Sequence, residues 1–197
     1  MTLAVNDDAL DKLFRKARTH RNWRPGQVTP QMLMAIYDLA RWGPTTNNTT
    51  PARFVFVLTP AAKERLKPHL NKGNVEQTMR AQATAIIAYD LKFYETMGKL
   101  SSNPNARDTW AQKSPAELEL AALRNGSLQG GYFVMAARSI GLDCGPMGGF
   151  DHQGVDNEFF AGSSIKSNFL CNLGLGDEQG LRPRAGRLEF DEACRIL

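Results

Sequence analysis

SPAELELAALRNGSLQGGYFVMAARSIGLDCGPMGGFD, residues 114–151, opens like a long helix and ends in a glycine loop. Ser114, Pro115 and Glu117 form a capping box with proline at the first helical position, which satisfies backbone N–H groups at a helix start. Small and apolar residues then continue to Gly141, a natural C-cap. Gly126, Gly130 and Gly131 interrupt that run, each costing about 1 kcal/mol relative to alanine in a helix interior. They imply close packing of another backbone or a flat ligand on the helix, or else a kink. In the following GLDCGPMGGFD, Pro146 lacks an N–H, while Gly148 and Gly149 admit backbone geometry closed to other residues. That stretch is either a tight turn or a set of exposed peptide donors suited to a heteroaromatic ring.

Around this segment the chain alternates irregularly. NDDALDKLFRKA spaces Leu10, Leu13, Phe14 and Ala17 for an amphipathic helix, with acids leading and bases trailing as its dipole favours. TPQMLMAIYDLARWGP starts a second helix at the Thr29 cap and stops at Gly43-Pro44. ARFVFVLT and ATAIIAYD read as buried strands, TPAAKERLKPHL as a helix between them, and SNFLCNLGLGD as a third strand. More helix than strand, out of regular alternation, predicts an α+β sandwich.

The 197 residues suit one domain, 1–197, with a real core. A hydrophobic share of 42% argues against global disorder. No apolar run reaches the roughly 18 residues of a membrane span. Acids stand in MTLAVNDDALDKLF where a signal peptide carries lysines, so a cytoplasmic location is expected. Three dispersed cysteines and three histidines give neither a disulfide framework nor a metal site. GLGDEQG misses the dinucleotide fingerprint because its third glycine falls one residue late and LRPRAG cannot open a helix. Ser163 to Lys166 fits Ser-x-x-Lys, but no Lys-Thr-Gly follows.

Two basic clusters stand at opposite ends of the chain. FRKARTHRNWR carries Arg15, Lys16, Arg18, Arg21 and Arg24; LRPRAGR carries Arg182, Arg184 and Arg187. They are either solvated surface or two halves of one phosphate site. Neither is interleaved with aromatics, which argues against nucleic acid. GPTTNNTTPARF, residues 43–54, adds a polar loop between the second helix and the first strand.

Four of these segments, in this order, resemble the motifs of nitroreductase-fold flavoproteins. ARTHRNW resembles their arginine-rich N-terminal motif and WGPTTNNTTPARFVFV their Pro-Ser-Ser-x-Asn-x-Gln-Pro-Trp-x-Phe segment. PMGGFD resembles their glycine loop, and RPRAGRLEFDEA their C-terminal tail. More narrowly, GPTTNN, LDCGPMGGFD, FFAGSSIKSN and FDEACRIL resemble the malonic semialdehyde reductase branch of the Rut pyrimidine-degradation pathway.

The resemblance implies an α/β/α sandwich with a mixed, mostly antiparallel sheet and a long central helix at a homodimer interface. It implies FMN as cofactor, NADPH or NADH as reductant, and ping-pong hydride transfer through flavin N5 to a small aldehyde. No catalytic side chain is required, because the flavin carries the redox chemistry. A nitroaromatic or quinone reductase, or a flavin-binding protein without turnover, are the alternatives. Carried over by position, Arg18, Thr19 and Arg21 approach the phosphate, with Arg182 and Arg184. The motif's first arginine is Ala17 here, so its register admits His20. Thr45, Thr46 and Asn48 contact flavin, Asn74 and Gln77 its ribityl and pyrimidine end. Pro146, Met147, Gly148 and Gly149 face N5. Thr50 and Ala52 replace the family's Gln and Trp, leaving a smaller pocket wall, and Arg53 is the candidate cation for a substrate carboxylate.

Overall fold

The computed structural model describes residues 4–197; the first three residues of the signal-peptide reading and of the 1–197 domain lie outside it. Nine α-helices are described: α1 (Asp7–Leu10), α2 (Pro30–Ala40), α3 (Pro60–Leu66), α4 (Lys72–Arg80), α5 (Met97–Leu100), α6 (Ala106–Ala111), α7 (Pro115–Ser139), α8 (His152–Phe159) and α9 (Phe190–Ala193). Four strands, β1 (Ala52–Val57), β2 (Ala83–Asp90), β3 (Asp143–Met147) and β4 (Ile165–Gly174), form one sheet in the order β1-β2-β4-β3. All three pairings are antiparallel, so the sheet of these four strands is not mixed; an isolated parallel bridge, Thr19 to Cys144, lies beside it.

The central strand β2 is buried along almost its whole length, and its alternation builds two cores. Ala83, Ala85 and Ile87 face α2 and α7 through Leu33, Ile36, Phe133 and Ala137. Ile86 and Ala88 face the opposite layer, with Leu66 of α3, Val75 of α4 and Val155 of α8. The result is the expected α/β/α sandwich. The capping box at Ser114 is present, and α7 runs to Ser139 with Gly141 at φ 98° just beyond.

Close packing explains two of the three helix glycines. A Cβ at Gly126 would stand 2.9 Å from Tyr89 Cβ, and one at Gly130 would stand 2.7 Å from the Phe169 ring. Gly131 meets nothing within 4 Å and faces outward.

Two expectations differ, and the three cysteines divide by burial. The N-terminal segment is one α-turn followed by a π-helical stretch, Asp11–Arg15, and its apolar residues are not buried within the chain. DCGPM is a strand, not a turn: β3 is an edge strand, where a proline's missing N–H costs no ladder bond on the open side. Cys144 and Cys171 are buried apolar residues, whereas Cys194 is exposed in the tail.

Candidate functional site

Two clefts stand at opposite edges of the sheet. Beside β3, the segment 13–22, the tail 177–187 and Arg138 of α7 enclose a cleft of about 640 Å³. Seven arginines line it: Arg15, Arg18, Arg21, Arg138, Arg182, Arg184 and Arg187. Among the described residues only Arg15 of these has carboxylate partners, Asp7 and Asp11. The two ends of the chain are tied together by their own arginines. Arg18 donates to the Arg182 carbonyl, Arg184 to the Ala17 carbonyl at 2.9 Å, and Arg138 to the Leu13 carbonyl at 3.1 Å. Each of these guanidinium groups keeps donors free for an anion.

Thr19 lines the same cleft. His20 does not: its ring is buried, and Nδ1 lies 3.6 Å from Asp143 with no hydrogen-bond partner. The arginine motif alternates outward arginines with an inward histidine, which a register read from sequence alone leaves open.

Next to this cleft the glycine loop meets α4. Asn74 Nδ2 donates to the Gly149 carbonyl at 2.7 Å, and Gln77 Nε2 donates to Asn74 Oδ1 at 2.6 Å. The Trp23 indole donates to the Gln77 carbonyl at 3.0 Å, joining the arginine segment to the same helix. Gly149 packs tightly, since a Cβ there would stand 2.7 Å from Asn74 Nδ2; Gly148 has open space beside it. Met147 Sδ accepts from the buried Thr78 hydroxyl at 3.6 Å. Arg18, Arg21, Arg182, Arg184, Asn74, Gln77 and Pro146 to Gly149 therefore gather along one edge of the fold.

Thr45, Thr46 and Asn48 do not join them. Their loop precedes β1, at the opposite edge, three strand spacings or about 14 Å from β3. Asn48 and Thr50 line a second cleft of about 1070 Å³, with Met34, Tyr37, Trp42 and Phe54. Arg53 lines it too, but its guanidinium is paired with Asp90 at 2.8 Å and donates to the Thr50 carbonyl at 3.1 Å. A substrate carboxylate would have to compete with Asp90 for it.

Sequence reasoning missed three buried polar residues beneath these features. Asn125 and Gln129 of α7 hold the polar loop, accepting from Thr46 N at 2.8 Å and from Ala52 N at 2.9 Å. The available signal was their i, i+4 spacing among Ala122, Gly126, Gly130 and Phe133, polar residues on a face that is otherwise small and apolar. Lys63 of α3 is buried and donates to the carbonyls of Thr78, Met79 and Ala81 at the end of α4. Burial holds its pKa below the usual lysine value. Ser163 and Lys166 do not form a catalytic pair: Ser163 donates to the Phe160 carbonyl at 2.7 Å and Lys166 lies 3.5 Å from Asp156. Among the described residues no cluster of three or more metal-ligating side chains occurs, and no helix is long and apolar enough to cross a membrane.

Comparison with known proteins agrees with this architecture. The chain is 53% identical over 196 residues to a Stenotrophomonas maltophilia protein provisionally named NADH dehydrogenase/NAD(P)H nitroreductase, covering all of both chains. A relative from Ralstonia nicotianae with the same provisional name is 51% identical over 193 residues, or 98% of each chain. A nitroreductase-named crystal structure from Bacillus subtilis superposes with a TM-score of 0.87 at 20% identity, covering 98% of this chain and 100% of that one. Another, from Exiguobacterium sibiricum in complex with FMN, reaches 0.82 at 19% identity, covering all of both chains. The nitroreductase family profile matches residues 14–174, and the chain belongs to that family.

Proposed function

We propose that the chain is an FMN-dependent oxidoreductase, working as a homodimer, that uses NADPH or NADH to reduce a small aldehyde. Malonic semialdehyde, giving 3-hydroxypropionate, is the proposed substrate. The observation that carries the cofactor is the arginine cleft. Six guanidinium groups without a carboxylate partner among the described residues converge there from both ends of the chain and from α7. A phosphate monoester with close to two negative charges, and oxygens that accept guanidinium forks, fits that donor set. The open space beside Gly148 fits a flat ring lying against the loop. FMN in the related Exiguobacterium structure supports the same reading.

Bound flavin supplies the hydride chemistry. The chain's own residues do the binding and orientation. Arg18, Arg21, Arg182 and Arg184 would hold the phosphate, Asn74 and Gln77 would bond the ribityl and pyrimidine end, and the backbone of Met147 to Gly149 would supply a donor to the ring. Thr45, Thr46 and Asn48 are too far across the sheet to reach their own chain's cleft, so the loop that carries them would serve the cleft of a second copy. The outward face of α7, with Leu120, Leu123, Leu128 and Tyr132 exposed, offers that copy an apolar surface. The relatives' names support a reduced nicotinamide as donor.

The aldehyde rests on the branch motifs and on the small pocket wall at Thr50 and Ala52. A second reading, a general nitroaromatic or quinone reductase, is favoured by the relatives' names. Steady-state turnover of malonic semialdehyde, menadione and nitrofurazone by one FMN-loaded preparation separates the two. The aldehyde reading expects the highest kcat/KM for malonic semialdehyde; a value no better than that of menadione overturns it.

A further inference from the structure

Building on the FMN reading above, we propose that Asn125 and Gln129 are positioning residues: they hold the 45–52 loop in a strained form whose tip presents Thr46 and Asn47 to the flavin. Three non-glycine residues of this loop have positive φ: Asn47 at 49°, Asn48 at 56° and Thr50 at 38°. Asparagine tolerates that region, but a β-branched threonine does not, so the loop would relax if its surroundings allowed. Such strain persists only where neighbouring groups over-determine the backbone, and it concentrates at functional sites.

The restraints are side chains. Asn125 and Gln129 lie one helical turn apart on α7, only 4% and 5% exposed. Asn125 Oδ1 accepts from Thr46 N near the loop's start at 2.8 Å, and Gln129 Oε1 accepts from Ala52 N at its end at 2.9 Å. Asn125 is itself fixed by donating to the Ala121 carbonyl at 2.8 Å. Within the loop the Thr45 hydroxyl accepts from Thr50 N at 3.1 Å. These bonds also supply partners for N–H groups at the partly buried base of the loop.

The same bonds decide which side chains remain for a ligand. The Thr45 hydroxyl is engaged inside the loop, and Asn48 Nδ2 donates to the Leu100 carbonyl at 2.9 Å. Thr46 and Asn47 are exposed at the tip, and neither side chain makes a hydrogen bond among the described residues. A loop already ordered before binding loses little conformational freedom when its tip engages a ligand.

The test is flavin binding to the stripped, refoldable or reconstituted dimer, measured by fluorescence quenching with FMN and with riboflavin, beside circular dichroism. Asn125→Leu and Gln129→Leu delete the acceptors at similar volume; Gln129→Glu keeps an acceptor oxygen for Ala52 N. Because the loop tip would contact the part of the flavin that FMN and riboflavin share and not the phosphate, each leucine variant is expected to weaken both by the same factor, about tenfold. Gln129→Glu is expected to recover most of that loss. Unchanged affinities in folded leucine variants, or equal losses in Gln129→Leu and Gln129→Glu, overturn the proposal. Asn47→Ala, at an exposed tip, covers the case in which the leucine variants do not fold: it is expected to weaken both ligands about threefold or more, and wild-type affinity overturns the presented tip. A wild-type chain that binds neither flavin overturns the FMN reading itself, whereas wild-type binding with unaffected variants overturns this inference alone.

Discussion

Lys63 closes the C-terminal end of α4, the helix that carries Asn74 and Gln77. Its ammonium replaces water for three carbonyls that would otherwise lack partners at a buried helix end. Lys63→Met keeps the stem but orphans those carbonyls, and is expected to lower unfolding free energy by about 2 kcal/mol or more, read from the urea midpoint. Burial lowers the folded pKa below 10.5 by disfavouring the charged form. The unfolded chain therefore binds this proton more tightly, so stability rises with pH in the window just below 10.5, and the methionine variant loses that rise. Nothing in TPAAKERLKPHL marks Lys63 as buried, because a lysine at that helical position reads as surface. The arginines were legible, since their clustering at both chain ends is visible without coordinates. Arg184→Ala is expected to raise the FMN dissociation constant about tenfold or more with little change in turnover at saturating FMN. Unchanged FMN affinity would contradict the phosphate assignment.

α7 joins most parts of the molecule, and its glycines separate its two faces. Gly130→Ala drives a methyl group into Phe169 and is expected to destabilise by about 1–3 kcal/mol. Gly131→Ala, with open space around it, is expected to leave the subunit's fold intact or stabilise it by up to about 1 kcal/mol. Thermal melts of the two variants compare them directly, and equal losses would refute the assignment of faces. At the N-terminus of α7, hydrogen bonds from the Ser114 backbone and hydroxyl hold the Glu117 pKa below 4.5. The stabilisation from Glu117 is complete above pH 4.5 and disappears as pH falls through its folded value. Glu117→Gln should accordingly show a flatter decline in melting temperature between pH 5 and roughly 3 than the wild type. This helix was legible end to end because its cap, length and C-terminal glycine all agree. β3 was not: five residues containing Gly145 and Pro146 carry a turn's composition, and only the edge position makes them a strand. α4 and α8 were also hidden, each short, polar and interrupted by a glycine.

At the scale of the whole molecule, the two halves of the proposed site stand at opposite edges of one sheet. The motifs were readable in order along the chain, but their separation across four strands was not, since sequence order carries no strand order. That separation makes the account depend on a second copy. The chain is expected to run as a dimer in light scattering after size exclusion. Leu128→Glu, on the outward face of α7, is expected to shift it toward monomer and to weaken flavin binding together with it. A monomeric variant with undiminished flavin affinity would contradict a site shared between copies. The activity proposed for this family member needs it to hold FMN and to pass hydride through it. The absorbance spectrum of the purified or FMN-reconstituted protein, followed by anaerobic addition of NADPH and then NADH, tests this most directly. The account predicts a bound flavin spectrum that bleaches with at least one donor and returns on adding the acceptor. A protein that takes up no FMN, or one whose bound flavin neither donor bleaches, would contradict it.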